Sequence, residues 1–199
     1  MSSNTANSLT PDEALAKLMA GNERYVAARV EHPRQDAARR AELGNRQNPF
    51  AIILGCSDSR VPPEVIFDQG LGDLFIIRVA GNIVDDVVLG SIEYAAEHLH
   101  TPLIVVLGHS KCGAVSATVA GGELAGHLPS LAKTIQPAVD RAKTQSGDLI
   151  NNSIRENALL MAGQLRSSEP LLAKLVKAGK LEVLAARYDL DSGKVDLLK

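Results

Sequence analysis

Two short segments of this 199-residue chain carry side chains able to do chemistry together. In AIILGCSDSRV, residues 51–61, an apolar run and a glycine lead into Cys56, Asp58 and Arg60. In VVLGHSKCGAV, residues 105–115, the same design leads into His109 and Cys112. The chain has only two cysteines, and both fall at these equivalent turns. Two thiolates and an imidazole make a zinc set, and Cys2His with an open fourth place is a catalytic arrangement. The His109-x-x-Cys112 spacing lets one turn present both donors, and Cys56-x-Asp58 puts a carboxylate on the same rim. Cys112 also opens a small-residue segment that reads as a helix, where the helix dipole favours its thiolate. Taken singly, each feature has a plainer meaning. A lone cysteine is most often a buried small hydrophobe, and an Asp-x-Arg pair is most often an ordinary ion pair. The residues themselves leave open a structural zinc site or a redox pair of Cys56 and Cys112. A closed structural site has no need of Asp58 and Arg60, however, and a redox pair has no need of His109.

Charge limits what such a zinc can do. Zn2+ with two thiolates and a neutral histidine carries no net charge, so it acidifies water less than a zinc held by neutral ligands. It needs nearby positive charge and a group that accepts the water proton. Asp58 and Arg60 supply both: Arg60 can hold Asp58 ionised and away from the metal, free to accept a hydrogen bond from zinc-bound water. If Arg60 lets go, Asp58 becomes the fourth ligand and shuts the site. This predicts a switch that favours the closed form at lower pH, where hydroxide competes poorly for the metal.

The elements that must position these groups are legible in the hydrophobic pattern. Three runs, 50–54, 74–79 and 103–107, are almost continuously apolar, as strands buried on both faces of a parallel sheet are. Between the second and third, Val88, Ile92, Ala95, Ala96 and Leu99 share one helical face within 85–99, giving a strand–helix–strand crossover. Ligands in such sheets bind beyond the carboxyl ends of the strands, where both turns lie. Thr10, Pro11 and Glu13 form a helix start, followed by Leu15, Leu18, Met19 and Tyr25 at helical spacing. Residues 29–48 read as an irregular arm or short helix, and 113–120 as a helix ending at Gly121-Gly122. Residues 128–178 read as two or three helices broken near Gly147 and around Ser168–Pro170. A fourth strand at 181–190 is followed by the turn DSGK and an antiparallel return over 195–198. Arg78, on an apolar strand, needs a partner, for which Asp73 or an acidic group across an interface is the candidate.

The expected fold is therefore α/β, a single domain over 10–199. A central, mostly parallel sheet is flanked by helices, with an N-terminal helical arm and a C-terminal antiparallel edge strand; residues 1–9 are expected to be a disordered tail. A net charge of −2 gives no basic surplus for nucleic acid, and no apolar run reaches a membrane span. The first ten residues lack the features of a secretory signal, which makes a cytoplasmic address with reduced cysteines the expectation.

At these residues the sequence resembles the beta-class carbonic anhydrases. CSDSRVPPE at 56–64 and GHSKCGAV at 108–115 look like that family's two signature segments. GDLFIIRVAGNIV at 72–84 and GSIEYAAEHL at 90–99 look like its intervening strand and helix, and the likeness runs from about Thr10 to the C-terminus. The resemblance implies one Zn2+ per chain on Cys56, His109 and Cys112, with Asp58 ligating it only in a closed form. It implies reversible hydration of carbon dioxide to bicarbonate and a proton by zinc-bound hydroxide, oriented by a catalytic Asp58–Arg60 dyad. It places Gln69, Phe75, Tyr94 and Gly113 at the substrate. It further implies a homo-oligomer, a dimer or paired dimers, with the site at the dimer interface.

Overall fold

The computed structural model describes residues 9–199. Most of the expected tail thus lies outside the described residues, while its last member, Leu9, packs against the core. Helix α1 (Pro11–Val26) starts with a reciprocal cap: Thr10 Oγ1 accepts from the Glu13 amide, and the Glu13 carboxylate accepts from the Thr10 amide. Its buried face is Ala14, Leu18, Gly21 and Asn22. The charged segment that follows holds a short helix, α2 (Ala37–Glu42), continued by one 3-10 turn over Leu43–Asn45. Then come β1 (Ala51–Gly55), α3 (Pro63–Ile66) and β2 (Leu74–Arg78). Helix α4 (Asp86–Glu93), capped by Asp85, widens into a π-type turn over Tyr94–His98. The face predicted for this helix, Val88 through Leu99, is buried throughout.

Strand β3 (Leu103–His109) is buried along its whole length. It leads into α5 (Gly113–Ala120), α6 (Leu128–Ala142), α7 (Leu149–Arg166) and α8 (Leu172–Lys177). The chain closes with β4 (Glu182–Tyr188) and β5 (Val195–Leu198). The sheet order is β2-β1-β3-β4-β5, parallel except for the β4–β5 hairpin.

The expected β2–α4–β3 crossover passes over one strand: β1 lies between β2 and β3, with Ile52 paired to both Phe75 and Ile104. The burial pattern explains the order: β3, buried at every residue, takes partners on both sides, whereas the half-exposed β2 forms an edge. His109 does not sit on a turn; it is the last residue of β3, in register with Tyr188.

Alternation along the strands splits the core between the two sheet faces. Ile52, Leu54, Ile104, Val106 and Val183 face a thick layer that includes Ile92, Ile135, Ile154 and Met161. Ala51, Ile53, Leu103, Val105 and Leu107 face a thinner layer of Ala14, Leu18, Ile66 and Phe67. Each fully buried aliphatic side chain of this kind is worth about 1.5–3 kcal/mol. The rigid centre of the sheet, β1 and β3, is also the pair of strands whose ends carry the reactive residues.

Candidate metal centre

Because β1 and β3 are parallel neighbours, Gly55 and Leu107 are in register and the segments after them emerge side by side. The donor atoms of Cys56, His109 and Cys112 lie within 4.8 Å of one another, all three residues buried. Local backbone chemistry aims each donor. Lys111 adopts a left-handed φ of 58°, which turns the chain sharply from β3 into α5. Cys112 is the N-cap residue of α5, so its sulfur stands at the positive end of that helix. The Cys56 sulfur accepts from the Gly81 amide at 3.3 Å. Gly81 lies in the tight turn after β2 with φ 75°, a conformation that favours glycine.

His109 shows why a cation belongs here. Its Nδ1 lies 2.9 Å from the Ser110 carbonyl oxygen, which can only accept, so Nδ1 carries the proton and Nε2 the lone pair. Nε2 is buried and has no hydrogen-bond partner among the described residues. An orphaned lone pair between two buried sulfurs is costly unless a metal takes it. The thiols tell the same story. The neighbouring Cys112 draws the Cys56 thiol down against the opposing effect of burial, with His109 and the Gly81 amide assisting. That same contact, reinforced by burial, pushes the Cys112 thiol up. Two thiols this close do not both ionise unaided; a divalent cation removes the conflict by deprotonating both. The residues present therefore fit zinc in number, type and burial.

Asp58 stands beside this donor set, not within it. Its Oδ2 lies 4.0 Å from His109 Nε2. Arg60 grips the carboxylate with Nε to Oδ1 at 2.9 Å and Nη2 to Oδ2 at 2.8 Å, and its amide also bonds Oδ1. The Arg60 hydrogen bonds hold the Asp58 carboxyl well below the usual carboxylate range. Phe75 and Tyr94 come together with ring centroids 6.3 Å apart. Gly113, the first residue of α5, has open space where a side chain would project, next to Cys112. Gln69 makes its contacts elsewhere: it is buried, its amide nitrogen bonds the Phe67 carbonyl, and its oxygen accepts from Arg34.

Arg78 corrects a sequence expectation. Asp73 is taken by Arg34, and Arg78 instead donates to the Cys56 carbonyl at 2.9 Å and to the Asp58 carbonyl. It braces the loop that carries both site residues, a role with no local sequence signal because its partners are backbone oxygens. Ser110 is a second such support: its carbonyl fixes the His109 tautomer, while its Oγ accepts from the Leu190 amide of the C-terminal hairpin.

Comparison with known proteins agrees with this geometry. Residues 51–195 match the family described as carbonic anhydrase. A protein called "Carbonic anhydrase 2" from Mycobacterium tuberculosis is 40% identical over 191 residues, covering 94% of this chain and 92% of the relative. The solved beta-carbonic anhydrase CafA of Aspergillus fumigatus superposes with a TM-score of 0.70 at 28% identity, over 93% of this chain and 90% of that one. A tetrameric beta-carbonic anhydrase from Sordaria macrospora shares the fold, with a TM-score of 0.75 at 23% identity over 92% of this chain and 96% of that one. With the family match and the buried Cys56–His109–Cys112 donors in agreement, the chain belongs to the beta-class carbonic anhydrases.

Proposed function

We infer that the chain catalyses the reversible hydration of carbon dioxide to bicarbonate and a proton at a zinc held by Cys56, His109 and Cys112. The observation that carries the reading is the pairing of this buried donor set with an ionised Asp58 fixed just outside it. When bound, the metal supplies Lewis acidity toward water. The chain's own residues do the rest. Asp58 Oδ2 takes one bond from Arg60 and keeps a second lone pair to accept a hydrogen bond from the reacting water and so orient it. Arg60 keeps that carboxylate ionised and holds it back from the three donors. Release of this grip would let Asp58 complete the ligand set, the closed form expected from sequence. Gly113 leaves room beside Cys112 for a small linear molecule, and Phe75 with Tyr94 offers an apolar wall for uncharged carbon dioxide.

The working form is proposed to be a homo-oligomer, a dimer or paired dimers. Tyr94 is 48% exposed and Val87 79% exposed, next to the half-exposed edge strand β2, and a second copy would complete that apolar surface. A relative of the same fold is described as tetrameric. A cytoplasmic setting would keep both cysteines reduced for the metal; no helix among the described residues is long and apolar enough to cross a membrane.

The test is stopped-flow carbon dioxide hydration on zinc-quantified protein, with Asp58→Ala and Arg60→Ala alongside. One zinc per chain is expected in all three. Loss of the orienting acceptor should cut kcat by about 100-fold in Asp58→Ala. One zinc per chain without hydration at any pH would overturn the reading.

A further inference from the structure

Helix α7 contains a polar residue that neither the ligand set nor the dyad explains. Asn157 is 1% exposed, in the apolar layer formed by Ile154, Ala158, Met161 and Ala162. Its amide nitrogen donates to the Gly81 carbonyl at 2.8 Å across 76 positions of sequence. The amide of that same Gly81 donates to the Cys56 sulfur. One helical turn on, Met161 Sδ accepts from the Val84 amide at 3.3 Å, so α7 grips the segment after β2 twice. Ile154 and Ala158 of the same stretch lie against Gly108, immediately before His109.

Stability alone is a poor reason for an asparagine here. Its Oδ1 is buried without a partner among the described residues. An unpaired buried acceptor is destabilising, and an apolar residue of like size avoids that cost. What asparagine supplies is a donor aimed at one carbonyl. The Gly81 C=O and N–H belong to the two peptide units that meet at its Cα. Glycine visits many conformations, so a bond to the C=O restrains rotation about Gly81 and helps keep φ at 75°, the setting in which its N–H meets the sulfur.

We propose that Asn157 is a positioning residue for the metal centre, acting through Gly81 to orient the Cys56 thiolate toward the cation. The proposal rests on the zinc reading of Cys56, His109 and Cys112. Hydrogen bonds made directly to a metal ligand are typically worth about 10–100-fold in metal affinity. Gly81 makes that bond to Cys56, and Asn157 acts one step further out. Asn157→Leu is therefore expected to weaken zinc binding by about 10-fold, the lower end of that range.

The experiment is competition for zinc between the full-length protein and a chelating dye, read beside the thiolate-to-metal charge-transfer band of the cobalt-substituted protein. Wild type, Asn157→Leu and Asn157→Ser are compared with Ser153→Ala. Ser153 is fully buried on the same helix but bonds only the Leu149 carbonyl of its own turn. The expected result is a weakened zinc affinity and a shifted cobalt band in both Asn157 variants, with Ser153→Ala unchanged in both readouts. A folded Asn157 variant with wild-type zinc affinity and an unshifted band overturns the proposal. So does an equal loss in Ser153→Ala, which would assign the effect to general loosening of α7. If Asn157→Leu does not fold, Asn157→Ser, which removes volume instead of adding apolar bulk, decides the matter on the same criteria. A wild type that does not bind one zinc per chain would instead refute the metal centre itself, and this proposal with it.

Discussion

Replacing Gly81 by alanine tests the turn on which the Cys56 sulfur depends, and the structure separates the two costs it carries. The first is conformational. Gly81 has φ 75°, a region that costs a residue with a Cβ about 1–2 kcal/mol. The second is steric. An added Cβ would lie 2.7 Å from Ile135 Cδ1 and 3.3 Å from Ala114 Cβ. The Ile135 methyl is the far end of a side chain and can turn, but Ile135 is wholly buried, so the movement disturbs its neighbours. Overpacking of this kind costs roughly 1–3 kcal/mol, and the terminal position of the methyl places it near ~1. The sum is about 2–3 kcal/mol, which for a chain of this size lowers Tm by roughly 4–12 °C. The assay is thermal unfolding of zinc-loaded protein for Gly81→Ala, Ile135→Val and the double variant. Ile135→Val removes the clashing methyl and alone costs about 0.5–1.5 kcal/mol. In the Gly81→Ala background it should cost less than it does alone, or stabilise, because it relieves the contact; the conformational part stays. A coupling of about 0.5–1 kcal/mol is expected. Strict additivity would refute the steric half of the argument, and a Gly81→Ala variant as stable as wild type would refute both halves.

Two further outcomes follow from features away from the metal. Gly21→Ala in α1 should destabilise, although alanine is the better helix former by about 0.8–1.0 kcal/mol. The new Cβ would lie 1.8 Å from the Phe67 carbonyl oxygen, a backbone atom that cannot yield, so α1 must shift and strain the bonds of Asn22 to Ile66, Gly193 and Val195. A loss of about 2–3 kcal/mol in urea unfolding is expected, and a gain would refute the clash. Asp68→Asn tests acid stability. Burial acts to raise the Asp68 carboxyl, but the amides of Glu31 and His32 and the Arg24 guanidinium outweigh it and hold it below the usual range. A lowered folded pKa contributes stability above the unfolded value of about 3.9, and that contribution is lost as pH falls through the folded value. Wild type should therefore exceed Asp68→Asn by about 1–3 kcal/mol at pH 7. The gap should close only below about pH 4, and a gap that does not change with pH would show that the carboxylate charge is not responsible.

Much of this protein is written locally. The near-continuous apolar runs at 51–54 and 103–107 require strands covered on both faces, whatever covers them. Thr10, Pro11 and Glu13 encode a helix start within four residues, and the DSGK turn encodes the final hairpin. The reactive residues were visible for the same reason: cysteine, histidine and a paired Asp-x-Arg are few, and their chemistry narrows quickly once both cysteines fall after equivalent strands. Strand order was not local. That β1 and β3 are neighbours, which brings Cys56 to His109 and Cys112, depends on which strand accepts partners on both sides, a property of the whole sheet. The supports of the site were invisible for a related reason. Arg78 braces backbone carbonyls of another strand's loop, Ser110 ties His109 to the C-terminal hairpin, and Asn157 reaches Gly81 across 76 positions. Backbone oxygens and amides are the same at every position, so a sequence cannot mark which of them a side chain will meet. The elements, the ligand types and the Asp58–Arg60 pair follow from short stretches of residues. The sheet order, the Asn157–Gly81–Cys56 relay and the bracing by Arg78 and Ser110 arise only in the folded chain, because each is a contact between segments whose separation along the chain carries no information about their distance in space.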